Sequence, residues 1–76
     1  MMTTRYPKSP AALRELRVEL GYSQEQFAHK LGLSFATVNR WENGKTKPSS
    51  LARRQIRNFI EQSISEGKIP DHYFEL

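Results

Sequence analysis

An all-α fold of four to five helices is predicted from three features of the sequence. Apolar residues recur at spacings of three and four, a serine heads each such stretch, and a glycine follows it. No segment alternates apolar and polar residues as a strand does, and no internal repeat or low-complexity tract occurs. A chain of 76 residues makes one domain. At that size only about 60% of the surface exposed by the unfolded chain is buried on folding, so a deep catalytic pocket is not expected.

Residues Met1 to Lys8 are polar, with an early proline and no periodicity, and read as a loose N-terminal arm. Ordered structure is expected from Ser9, where an N-cap hydroxyl precedes a proline at the first helical position. Leu13, Leu16, Arg17 and Leu20 then share one face, and Gly21 ends the helix. Ser23-Gln24-Glu25-Gln26 has the S-x-x-Q form of a capping box and opens a second helix carrying Phe27, Ala28 and Leu31, which Gly32 stops. Ser34 caps a third helix, Phe35 to Asn43, with Val38 and Trp41 inward and Gly44 after it. Ser49 or Ser50 caps a longer fourth helix, Leu51 to Glu66, with Ala52, Ile56, Phe59, Ile60 and Ile64 on one stripe. The domain therefore spans residues 9–66, and residues 67–76 form an irregular, apolar C-terminal tail.

Composition excludes several classes of function. With no cysteine, disulfides, thiolate metal sites and cysteine nucleophiles are ruled out, and a reducing cytoplasm is the expected location. The N-terminal residues contain no apolar h-region, and apolar runs reach only two or three residues, so neither a signal peptide nor a membrane span is expected. The formal net charge is +4, and its distribution is uneven. Between Arg40 and Arg57 six cations face the single acid Glu42, whereas after Asn58 Lys68 stands against Glu61, Glu66, Asp71 and Glu75. A basic middle suggests a polyanionic partner.

The second and third helices are joined by about three residues, Gly32-Leu33-Ser34, a turn short enough to make them cross steeply. B-DNA's major groove, about 12 Å wide, admits one helix, whose N-terminal residues reach the base edges. The stretch GYSQEQFAHKLGLSFATVNRWENGKTKPS resembles the phage repressor and Cro family of helix-turn-helix domains. The resemblance rests on Gln24, Ala28, the Gly32 turn, Val38, Trp41 and the run Glu42-Asn43-Gly44-Lys45, and covers about Leu13 to Leu51. It implies a compact repressor-like bundle with the third helix in the major groove. It also implies base contacts from Ser34, Phe35, Ala36 and Arg40, and phosphate contacts from Gln24, Asn43, Lys45 and Lys47, with Ser23 beside Gln24. An arginine and a glutamate face each other at the positions of Arg17 and Glu42, which are assigned to structure.

The residue chemistry can be argued separately. Arg40 can donate two bonds to guanine O6 and N7, and Asn39 can pair with adenine N6 and N7. Ala36 and the ring edge of Phe35 suit a thymine methyl group. Each assignment has a plainer competitor: packing for Phe35, solvation for Asn39, a phosphate contact for Arg40. Trp41 reads as core, and His29 and His72 as surface residues without metal-ligand spacing. No glycine-rich phosphate loop, metal cluster or nucleophile with an adjacent base occurs, so neither an enzyme nor a cofactor is expected.

The expected function is a sequence-specific regulator of transcription, a repressor binding an inverted repeat of double-stranded DNA as a homodimer. Phe59, Ile60 and Ile64, with Ile69, Tyr73, Phe74 and Leu76, are expected to supply the dimer contact, because so much apolar surface lies beyond a three-helix core. The competing expectation is that the tail folds back to complete that core. Other readings stay open: an antitoxin or restriction-system controller holding a protein partner through its tail, or a protein or RNA adaptor that reads no bases.

Overall fold

The computed structural model describes Pro7 and residues 9–70. Among them are four helices and no strand: α1 (Pro10–Glu19), α2 (Gln24–Leu31), α3 (Phe35–Glu42) and α4 (Ser50–Ser65). Within the expected arm, Pro7 is buried. Residues 71–76 lie outside the described residues, and with them the expectations for His72, Tyr73, Phe74 and Leu76.

All four helices start alike. The hydroxyls of Ser9, Ser23, Ser34 and Ser49 accept from the backbone N–H three residues on, satisfying donors that a helix leaves unpaired. Ser23 is also half of a full capping box, its own N–H donating to Gln26 Oε1 at 2.9 Å. The fourth helix is capped by Ser49, which fixes its first residue as Ser50 and not Leu51. The helix ends are alike too. The N–H groups of Tyr22, Leu33, Lys45 and Lys68 each reach back five residues to a helical carbonyl, at 3.1, 2.8, 2.9 and 2.9 Å. Such an ending needs a left-handed residue just before the donor, and at Gly32 (φ +73°) only glycine takes it without strain.

Each helix buries the face its periodicity assigns. Leu13 and Leu16 of α1, Phe27, Ala28 and Leu31 of α2, Val38 and Trp41 of α3, and Ala52, Ile56 and Ile60 of α4 form one core. α3 packs on both α1 and α2, and α4 packs on α2. Tyr22, from the link between α1 and α2, and Phe59 cover one side. The Phe59 ring meets Phe27 edge-on at 5.6 Å between centroids and Tyr22 at 6.3 Å, and the Lys30 ammonium stands 5.6 Å from the Tyr22 centroid.

One expectation is corrected here. Phe59, Ile60, Ile64 and Ile69 were assigned to a dimer contact as surface beyond the core's reach. Instead Ile60 is fully buried, Ile69 is 3% exposed, and Phe59 and Ile64 are half-buried against the same core. The physical reason is geometric: α4 runs unbroken for 16 residues, about 24 Å, across the bundle. Past its end, Gly67 (φ +77°) turns the chain so that Ile69 re-enters the core. Ser63, inside the stripe, is buried as well, its hydroxyl donating to the Phe59 carbonyl at 2.9 Å.

Ile69 is thus a core residue outside any helix. Ile69→Ala is expected to lower stability by about 2–3 kcal/mol, whereas Val18→Ala, at a position 59% exposed, should change it by less than about 0.5 kcal/mol. Chemical denaturation of the two variants measures both.

Candidate nucleic-acid interface

The three-residue link Gly32-Leu33-Ser34 reverses the chain between α2 and α3. Leu33 is half-buried against the core and anchors the turn, and Ser34 starts α3 at once. Burying Val38 and Trp41 leaves the opposite side of α3 to solvent. Ser34, Phe35, Ala36 and Arg40 are all exposed there, and Phe35 is 51% exposed, a large value for a phenylalanine. The Arg40 side chain has no hydrogen-bond or ion-pair partner among the described residues. Ser34 is partly occupied: its oxygen accepts from the Thr37 N–H at 3.2 Å and shares a 2.9 Å hydrogen bond with the Thr37 hydroxyl.

Behind this face lies a chain of polar contacts that fixes α3 to α1 and α2. Arg17 donates to Glu42 through two nitrogens, Nε to Oε2 at 2.8 Å and a terminal nitrogen to Oε1 at 3.1 Å. Its other terminal nitrogen donates to the Tyr22 carbonyl at 2.9 Å. The two side chains are 12% and 3% exposed. Glu42 Oε1 also accepts from Gln24 Nε2 at 3.0 Å, Gln24 Oε1 accepts from Asn39 Nδ2 at 3.1 Å, and Asn39 Oδ1 accepts from Asn43 Nδ2 at 3.0 Å. Five side chains from α1, α2, α3 and the cap of α3 are joined end to end. Among the described residues no buried polar side-chain atom lacks a partner.

The network changes how three of the expected contact residues are understood. Gln24, Asn39 and Asn43 are held by one another, each with one amide N–H left over. Asn39 is half-buried with its amide plane set by two bonds, so its chemistry is first that of a connector. Lys45 and Lys47 are exposed in the link between α3 and α4, and Ser23 is exposed at the head of α2. The exposed Arg53 and Arg54 continue the basic surface along α4, where Arg57 is half-buried.

Sequence reasoning gave Arg14 no role, yet it stands on the α1 side of the same surface, lining a concavity with Gln24, Phe35 and Asn43. The available signal was the absence of an acid three or four positions away. Among the described residues, Glu66 and Lys68 past the end of α4 shift one another's titration. The Gln62 amide, donating at 3.1 Å, and then Lys68 hold the Glu66 carboxyl below its usual value, and Glu66 in turn raises Lys68. No cluster of three or more potential metal ligands occurs among the described residues, and none of their helices is long and apolar enough to cross a membrane.

A turn of three residues, an outward-facing third helix and a polar brace behind it define a helix-turn-helix domain. The chain belongs to the helix-turn-helix family of the repressor and Cro type, whose family model matches residues 13–52. It is also similar to parts of two Type II methyltransferases. M.SsoII of Shigella sonnei is 38% identical over 52 residues, covering 64% of this chain and 14% of that protein. M1.ScrFI of Lactococcus lactis subsp. cremoris is 36% identical over 59 residues, covering 74% and 15%. The chain therefore spans about one-seventh of the length of these curated relatives. No solved structure matches.

Because Arg17 and Glu42 are nearly enclosed, removing either leaves its partner buried and uncompensated. Arg17→Met and Glu42→Leu are each expected to lower stability by about 3–5 kcal/mol, and the double variant by less than either. Thermal melts of the three proteins measure the coupling; singles that melt like the parent would show that the pair contributes nothing.

Proposed function

We propose that this chain is a sequence-specific double-stranded DNA-binding regulator of transcription, with α3 as the recognition helix in the major groove. The observation that carries the reading is the division of α3 into a buried side, Val38 and Trp41, and an outward side bearing Phe35, Ala36 and Arg40, whose guanidinium has no partner among the described residues. Arg40 reads a guanine, and Ala36 with Phe35 packs on a thymine methyl. Ser34 contributes at the first contacted base. Ser23, Gln24, Asn43, Lys45 and Lys47 hold phosphates, the two lysines as charges and the others through hydrogen bonds. Asn39 acts chiefly by fixing the amides of Gln24 and Asn43, a role its two bonds favour over adenine readout.

In this reading the protein works in the cytoplasm without a cofactor and without enzymatic activity of its own, as a repressor. A homodimer on an inverted repeat would place two recognition helices about 34 Å apart. Burial of Ile60 and Ile69, and partial burial of Phe59 and Ile64, removes most of the described surface expected to form that dimer, leaving Tyr73, Phe74 and Leu76 as its apolar candidates. A second reading is favoured by the similarity to segments of two Type II methyltransferases. There the domain serves as the controller of a restriction and modification system, alone or attached to a modification enzyme, and the tail meets a protein partner.

Selection of bound duplexes from a random pool tests the DNA-binding reading directly. On the recovered site Arg40→Ala is expected to cost about 1–3 kcal/mol and to flatten discrimination at one base pair. Lys47→Ala and Asn39→Ala should weaken all sequences alike. Titrations on matched and singly substituted duplexes separate these outcomes; a uniform loss from Arg40→Ala would remove that residue from base readout. For symmetry, sedimentation of the full chain at tens of micromolar should show a dimer, and a monomer would leave the inverted-repeat arrangement without support.

A further inference from the structure

Arg14 is an exposed cation that neither the fold nor the proposed contacts employ. Its neighbours at three and four positions are Pro10, Ala11, Arg17 and Val18, so α1 offers it no acid, and it has no ion-pair partner among the described residues. It lines a concavity between α1 and α3 together with Ser23, Gln24, Glu25, Phe35 and Asn43. Three of these residues carry hydrogen-bonding groups of the kind a phosphate accepts from. Gln24 and Asn43 each keep one amide N–H free, and the Ser23 hydroxyl, which accepts from Gln26 N–H at 3.0 Å, keeps its own proton.

The charges around this concavity decide what it can hold. Arg17 also lines it, but its guanidinium is bound to Glu42 at 2.8 and 3.1 Å and brings no net charge. Glu25, exposed at the rim, would repel an anion. Among the described residues Arg14 is the one cation of this wall without an ion-pair partner, and without it the side chains lining the concavity would be net acidic. On the far side Phe35 leads into the outward face of α3, so an anion seated here would lie beside the bases that α3 reads.

We infer that Arg14 supplies the charge that holds a backbone phosphodiester of the bound duplex in this concavity, beside the hydrogen bonds from Ser23, Gln24 and Asn43 proposed above. The inference rests on the DNA-binding reading above and adds to it a contact from α1, outside the helix-turn-helix unit itself. Arginine suits the position because its planar fork can donate two bonds to one phosphate. Losing the contact should be felt equally on every sequence, since a phosphate carries no base identity.

The test measures affinity of the full-length chain for a duplex recovered by selection and for a scrambled duplex, over about 50 to 200 mM salt. Arg14→Gln is expected to weaken both by the same factor and to reduce the slope of log K against log salt by about 0.9, the value for one phosphate. Arg14→Lys should restore the slope. Lys30→Gln removes the same charge from the Tyr22 side and should leave the slope nearly unchanged. The inference is overturned if Arg14→Gln binds like the parent, or if Lys30→Gln lowers the slope as much, since the effect would then be one of overall charge. A parent protein that binds neither duplex would overturn the DNA-binding reading itself, an outcome distinct from an Arg14 variant that alone behaves normally.

Discussion

The bond between Arg17 and Glu42 is the interaction on which the arrangement of this protein depends. A carboxylate with 3% of its side chain exposed is costly to bury, and the cost is offset only if its acceptor positions are filled. Here they are filled from two directions, by the Arg17 guanidinium on α1 and by the Gln24 amide at the head of α2. Glu42 is the last residue of α3. One carboxylate therefore ties the end of α3 to both α1 and α2. The amides of Asn39 and Asn43 extend the tie along α3 by two further bonds. Apolar packing of Val38 and Trp41 holds α3 near the core but tolerates small rotations, whereas hydrogen bonds with fixed directions do not. The polar chain thus fixes the rotation of α3 that burial of Val38 and Trp41 sets only approximately.

Around that brace the domain solves the problem of being small. Three short helices cannot enclose Phe27 and Leu16 by themselves, yet both are fully buried. The closing surface comes from α4 and from the segment beyond it, through Ile56, Ile60, Phe59 and Ile69. The aromatic group of Tyr22, Phe27 and Phe59 joins the link after α1, the middle of α2 and the far half of α4. The apolar face of α4 is committed to the core, and the basic residues at its start are left on the surface.

The polar and charged residues on and around the outward face of α3 divide into those hydrogen-bonded to one another and those left exposed. Gln24, Asn39 and Asn43 are bound, and their leftover N–H groups have directions fixed in advance. The side chains of Arg40, Lys45 and Lys47 are exposed with no partner among the described residues, and Arg14 joins them from α1. Preset hydrogen-bond donors beside exposed cations suit an interface where long-range attraction brings the partner in and fixed groups set its register.

The sequence by itself determined where each helix begins and ends to within about one residue, because those signals are local. A serine accepting from a backbone N–H three residues on, and a glycine able to turn left-handed, act within one turn of chain and need no distant partner. It also made the buried face of each helix legible, since periodicity is a property of a single element, and the family pattern put Arg17 opposite Glu42. Only the tertiary structure decided which polar residues hold one another and which remain free. Asn39 reads as an exposed side chain when its own helix is considered alone, and is half-buried once Gln24 arrives from 15 residues away in the chain. Arg14 reads as an ordinary surface cation until α1 and α3 bring it beside Gln24 and Asn43. Ile60 and Ile69 look like surplus apolar surface until α4 crosses the bundle and covers them with its own neighbours. In each case the deciding contact lies between elements far apart in sequence, and helical spacing carries no information about what the opposite element will present.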